Sequence, residues 1–287
     1  MDIKLGKLNH LKVVKEVDFG VYLDGGEEAG EILLPTRYVP HGCKPGDELD
    51  VFLYLDQEER LIATTLTPKA QVGDFAFLNV AWVNQYGAFL DWGLMKDLFV
   101  PFREQKMRMV QGKGYIVYIY IDEDSYRIVA SAKIEHFLKT PAENTYKHGD
   151  KVDLLITQKT DLGFKAIVDN QFMGLIYERE IFRPLHTGDR VKGYIKQIRQ
   201  DGKIDLELQT GKSVEQVANF SDKLLLYLQA NGGHTDLNDK SESQVIYETF
   251  GVSKKVFKKG VGDLYKRRLI TIQNGLTLTE EGKEVED

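Results

Sequence analysis

The sequence holds a single cysteine, Cys43, so no disulfide can form within the chain and no cluster of thiolates can grip a metal. No stretch reaches the eighteen or so apolar residues that cross a bilayer as a helix. The opening Met1-Asp2-Ile3-Lys4 lacks a basic segment running into an apolar one, so the expectation is a cytoplasmic protein with no membrane contact. The six histidines, His10, His41, His136, His148, His186 and His234, form no pair at metal-ligand spacing, and no glycine-rich phosphate loop is present. Neither a cofactor nor a metal is expected. The acids Asp122, Glu123 and Asp124 would suit a metal-dependent nuclease, but they fall on a turn where two other parts of the chain also carry acids, so a solvated turn is the reading and the chain is read as no enzyme.

Positive charge is also in short supply, with 38 Lys and Arg against 44 Asp and Glu and a formal net charge of −6. Phosphate binding responds to local potential, so the distribution matters more than the total. Residues 1–66 carry a net −6, residues 67–142 +1, residues 143–210 zero and residues 211–287 −1. Only the first quarter is clearly acidic.

What the chain does have is an internal repeat, which has to be read before any fold is assigned. Phe19-Gly20-Val21-Tyr22-Leu23-Asp24 returns as Tyr86-Gly87-Ala88-Phe89-Leu90-Asp91, and more loosely as Leu162-Gly163-Phe164-Lys165-Ala166-Ile167-Val168-Asp169. A short apolar strand follows each, namely Ile32–Pro35, Leu98–Pro101 and Gly174–Tyr177. Then comes a glycine opening a long strand: Gly46, Gly112 and Gly188, at separations of 26, 25 and 25 residues from the glycine of each phrase. Period-two strands broken by turn residues predict hairpins at Asp56–Glu59, Asp122–Ser125 and Gln200–Lys203. Five such strands in about 65 residues match the partly open Greek-key barrel called the OB-fold.

After Gln209-Thr210-Gly211 the period becomes helical. Val217, Phe220, Leu224, Leu225 and Leu228 make one face of a helix over Val214–Ala230 that ends at Asn231-Gly232-Gly233. A short helix over Ser241–Phe250 follows, then a third capped by Ser253 and running to about Arg268. Leu269–Ile272, a Gln273-Asn274-Gly275 turn and Leu276–Leu278 complete a two-stranded ribbon. The predicted fold is therefore mainly β: three tandem OB-type barrels of five strands (residues 1–66, 71–139 and 146–209), then a winged helix-turn-helix over 213–282.

OB barrels bind single strands through the face of their second and third strands, where rings stack on bases. The candidate rings are Phe19 and Tyr22, Tyr86 and Phe89, Phe164, and Tyr177, with the glycine inside the first two pairs expected to form a bulge that turns both rings outward. In the third C-terminal helix, Phe257, Gly260, Val261 and Leu264 share one face, and Lys255, Lys258, Lys259, Gly262 and Lys266 lie opposite. From Lys254 to Arg268 seven basic residues, Arg267 among them, face one acid, Asp263, on the helix that a winged helix lays against nucleic acid. Gly260 and Gly262 would serve close approach of the backbone or be merely tolerated.

The phrase Tyr86-Gly87-Ala88-Phe89-Leu90-Asp91, with its following strand and Gly112, resembles the S-one RNA-binding repeat. Three such units, closed by Ser253-Lys254-Lys255-Val256-Phe257-Lys258-Lys259 and Gly262-Asp263-Leu264-Tyr265-Lys266, resemble the bacterial conserved virulence factor B family over nearly the whole chain. That resemblance implies RNA binding and a regulatory role. The chain departs from the S-one pattern at Leu34, Val100 and Tyr177, where a histidine is usual, and at Leu162, where an aromatic is usual. The expected partner is single-stranded RNA, held by the barrels and the basic helix. Two rival readings stand beside it: a DNA-binding transcription factor using the winged helix, and a protein-interaction scaffold using the acidic first repeat.

Overall fold

The computed structural model describes residues 3–142, 144–178, 181, 185–208 and 213–283, with side chains left aside for 213–219. The boundary at Gln209–Gly211 and the side chain of Val217 lie outside the described residues. The chain divides into two compact units, residues 1–138 and 139–287.

The first unit holds two barrels. In the first, β1 (Leu8–Val17), β2 (Gly20–Asp24), β3 (Glu31–Pro35), β4 (Glu48–Leu55) and β5 (Leu61–Thr64) close in the order β1-β2-β3-β5-β4, with one short helix, α1 (Gly26–Ala29), between β2 and β3. The second repeats this with β6 (Phe75–Val83), β7 (Gly87–Asp91), β8 (Leu98–Pro101), β9 (Gly114–Ile121) and β10 (Ile128–Ser131). In both, the third and fifth strands pair in parallel, so the barrel is closed where the sequence pattern suggested a partly open one. Phe52 and Tyr54, on β4, are buried with the core of the second barrel, and the Phe52 ring meets Trp92 edge-on at 5.6 Å. The two barrels thus share apolar packing, the non-directional burial that makes neighbouring modules cohere.

The second unit begins with the third barrel: β11 (Lys151–Thr160), β12 (Gly163–Val168), β13 (Phe172–Tyr177), β14 (Arg190–Ile198) and β15 (Ile204–Glu207), again closed in the order of the other two. After it come α2 (Ser213–Ala230), β16 (His234–Thr235), α3 (Ser243–Phe250), α4 (Lys254–Lys266), β17 (Ile270–Ile272), β18 (Leu276–Leu278) and α5 (Glu280–Lys283). The two-stranded ribbon expected here gains a third member, because His234–Thr235 pairs with β18. Ser253 caps α4 by accepting the Val256 amide at 3.3 Å, and Phe220, Ile246, Phe257, Val261, Leu264 and Leu276 fill the core beneath.

One device recurs in every barrel. The first strand carries a β-bulge between Val13 and Lys15, between Val80 and Trp82, and between Ile156 and Gln158. A bulge inserts one residue and so reverses which face the following side chains take. The glycines of the repeated phrases have a different task from the bulge expected at the first two. A Cβ on Gly20, Gly87 or Gly163 would stand 2.0–2.3 Å from the carbonyl oxygen of Leu34, Val100 or Ile176, so the glycine lets the second and third strands approach.

Candidate nucleic-acid interface

Strand register aligns three positions across the first three strands of each barrel. In the second barrel Trp82 pairs with Phe89 and Phe89 with Phe99. The matching triads are Lys15, Tyr22 and Leu33 in the first barrel, and Gln158, Lys165 and Leu175 in the third. Only the second barrel places an aromatic ring at all three.

There the rings pack into one aromatic stack, a platform whose exposed end is Trp82. Trp82 and Phe89 stack with centroids 3.7 Å apart and planes within 3°, and Phe99 adjoins Phe89 at 4.9 Å. Trp82 remains 43% exposed, and Tyr86, just before β7, 65% exposed. The Asn84 side chain fixes the turn before β7 by accepting the amides of Tyr86 at 2.8 Å and Gly87 at 3.2 Å. The indole Nε1 of Trp82 donates to Asp97 Oδ2 at 2.8 Å, which settles the orientation of the ring.

The three rings line a groove of about 870 Å³ together with Tyr54, Gln57 and Glu59 from the β4–β5 region of the first barrel. Burial and the adjacent Tyr38 push the Tyr54 phenol up to about 12, so it stays a neutral donor. Cations in the groove are paired: Lys96 donates to the Asp56 carbonyl at 2.6 Å and to Glu59 at 3.0 Å, and Arg127 lies 3.3 Å from the other Glu59 oxygen. With Asp97, two cations face two anions, so the groove offers flat π-surface in a field close to neutral. Just past β8, the Arg108 guanidinium lies 3.5 Å from the Phe102 ring centroid, a further stacked surface.

The other barrels differ. Phe19 is 57% exposed and meets the half-buried Tyr22 edge-on at 6.3 Å, and Lys15 lies over the Tyr22 ring at 4.7 Å. In the third barrel the expectation for Phe164 is corrected. The register matches Phe164 with Ala88 and Val21, both inward positions, so its ring packs in the barrel core at 8% exposure, and Lys165 takes the outward place. Register likewise aligns Tyr177 with Pro35 and Pro101, so that Ile176 stands with Leu34 and Val100. Tyr177 is half-buried under Arg199, which bonds its hydroxyl and pairs with the buried Asp205 at 2.9 Å. Leu162, at the place of Tyr86, is 62% exposed.

In α4 the structure gathers Lys255, Lys258, Lys259 and Lys266 on the exposed side, with Phe257, Gly260, Val261 and Leu264 buried opposite. Two of the proposed cations are otherwise engaged. Lys254 donates to the Ser241 carbonyl at 2.6 Å, and Arg267 reaches Asp222 at 3.4 Å and Asp263 at 3.5 Å. Asp122, in the acidic run with Glu123 and Asp124, accepts Ser125 Oγ at 2.6 Å and Arg103 at 2.7 Å, and these bonds hold its carboxyl below the usual range. It clasps the hairpin turn.

Sequence reasoning passed over Trp82, Asp97 and Phe99. Counting by twos from Leu78 and Val80 puts Trp82 inside, and only the bulge turns it out. The available signal was the polar pair Lys15 and Gln158, which sit at the same inward parity after Val13 and Ile156 and break the alternation there.

Two family models match parts of this architecture. Residues 5–66 match the S1 domain model, and residues 222–278 match the CvfB-like winged helix domain. The uncharacterized protein YitL of Bacillus subtilis is 28% identical over 93% of this chain and 91% of its own length. A conserved virulence factor B of Staphylococcus saprophyticus is 25% identical over 83% of this chain and 81% of its own. A solved multidomain protein with nucleic acid binding domains from Streptococcus pneumoniae is 24% identical, covering 96% of this chain and 98% of its own, with a TM-score of 0.42. The chain is thus similar over most of its length to conserved virulence factor B proteins, and its matches to an S1 domain at 5–66 and a CvfB-like winged helix at 222–278 point to nucleic-acid binding.

Proposed function

We propose that this chain binds single-stranded RNA as a cytoplasmic, non-enzymatic post-transcriptional regulator, with its barrels at 1–66, 71–139 and 146–209 and its winged helix at 213–282 as the working modules. The observation that carries the reading is the open Trp82–Phe89–Phe99 platform. Splayed bases present a π-face to such a surface, whereas a duplex keeps its bases stacked on one another. Tyr86 extends the same surface, and Phe19 with Tyr22 offers a smaller one on the first barrel. Lys255, Lys258, Lys259 and Lys266 supply phosphate contacts from α4, a sequence-independent term.

The α4 lysines also favour one rival, a duplex-DNA reader working through the winged helix. A competition experiment separates the two. Labelled single-stranded RNA bound to the full chain should be displaced by unlabelled single-stranded RNA at much lower concentration than by duplex DNA of the same length. Equal competition would overturn the RNA reading in favour of the duplex one.

A further inference from the structure

A carboxylate is out of place beside a site for a polyanion, unless it faces a base instead of a phosphate. In the second-barrel groove, Glu59 has its two oxygens engaged by Lys96 and Arg127. Asp97 is different. One oxygen, Oδ2, accepts the Trp82 indole at 2.8 Å, which anchors the carboxylate at the edge of the platform, while the residue keeps partial exposure and lines the groove. The second oxygen is an acceptor held at the rim of a ring on which a base would stack.

We propose that Asp97 is a specificity-determining residue that makes this groove read the edge of the stacked base, taking cytosine over uracil. The inference rests on the RNA reading above and deepens it. Cytosine and uracil have six-membered rings of nearly equal stacking area, so the platform alone separates them little. They differ in polarity at position 4, where cytosine carries an amino donor and uracil a carbonyl acceptor. A charged acceptor forms a stronger hydrogen bond to an N–H than a neutral one does. Against uracil the same oxygen faces another oxygen, and both lose hydration without gaining a partner. Because its other oxygen is tied to the indole, the carboxylate cannot turn away without breaking that bond. Adenine shares the amino donor at its corresponding edge and belongs to the same favoured class.

The test uses the full chain at neutral pH, with short oligo(rC) and oligo(rU) as fluorescence-anisotropy probes, in the parent protein, Asp97→Asn and Trp82→Ala. The amide oxygen of Asn still accepts the indole N–H, and circular dichroism with thermal melting verifies that the barrel is intact. The parent should bind oligo(rC) about tenfold more tightly than oligo(rU), the scale of one charge-assisted bond. Asp97→Asn should abolish or invert that ratio, chiefly by weakening oligo(rC). Trp82→Ala should weaken both probes. Equal affinity of the parent for the two probes, or an unchanged ratio in Asp97→Asn, overturns the inference while loss of binding in Trp82→Ala leaves the RNA reading standing. Binding of both probes unaffected by Trp82→Ala would remove the RNA site from this groove altogether.

Discussion

Phe164 and Lys165 are neighbours on β12, and because side chains alternate from face to face along a strand, one place decides between a core ring and a surface cation. The loose third copy of the repeat, in which Leu162 replaces the aromatic before glycine, leaves its register open by one residue, so that the pattern puts Phe164 outward where the structure puts Lys165. Trp82 is the mirror case. A residue with inward parity is brought out by a bulge that no residue type announces, since Ala81 carries neither the glycine nor the asparagine that often marks one. The two positions should therefore respond oppositely to truncation. Phe164→Ala removes a ring from the third-barrel core and should destabilise that barrel by about 3–5 kcal/mol, read as a lower denaturant midpoint, with RNA affinity per folded molecule unchanged. Trp82→Ala should barely move the midpoint and should cost about 1–3 kcal/mol in binding for the base it stacks. A binding loss in Phe164→Ala under conditions where the protein is fully folded would restore that ring to the surface site.

Among elements, α4 shows how much of the fold was legible and where legibility ends. Its cap at Ser253, its buried stripe and its basic stripe all follow from a repeat of 3.6 residues and are found where that repeat puts them. The barrels were legible for a similar reason, since strand period, turn chemistry and a spacing copied three times agree with one another. What the sequence left ambiguous was contact across elements: the short strand at His234–Thr235, the parallel closure of each barrel, and the tasks of two glycines in α4. A Cβ on Gly260 would stand 2.5 Å from the buried ring of Phe220, on α2, which is itself hemmed in by Phe250 and Phe257. A Cβ on Gly262 meets nothing. Gly260→Ala should therefore force α2 and α4 apart and lower stability by roughly 1–3 kcal/mol, the cost of overpacking. Gly262→Ala should raise stability by up to about 1 kcal/mol through helix propensity alone. Thermal melts of the two variants provide the comparison, and the same sign for both would contradict the close approach of α2 and α4 at Gly260.

At the scale of the whole molecule, a formal charge of −6 conceals two candidate surfaces of different physics. The groove of the second barrel has its cations paired with acids and relies on stacking, a short-range force that ionic strength hardly touches. The exposed lysines of α4 form a concentrated positive face on an acidic chain, and contact between such a face and phosphates releases counterions. Salt therefore separates the two contributions within one protein. Plotted as log affinity against log salt, binding to single-stranded RNA should fall with a slope of about −0.7 for each phosphate engaged. Replacing Lys255, Lys258, Lys259 and Lys266 together by Gln should flatten that slope by up to roughly 2–3 units and leave base preference nearly unchanged, because phosphate contacts carry no sequence information. Exposed lysines contribute little to folding, so the melting temperature should hold and the change can be assigned to lost contacts. Trp82→Ala should do the reverse, lowering affinity at every salt concentration by a similar factor and keeping the slope of the parent. If the four-lysine variant kept the parental slope, the basic face of α4 would be no more than solvated surface, and RNA binding would belong to the barrels alone.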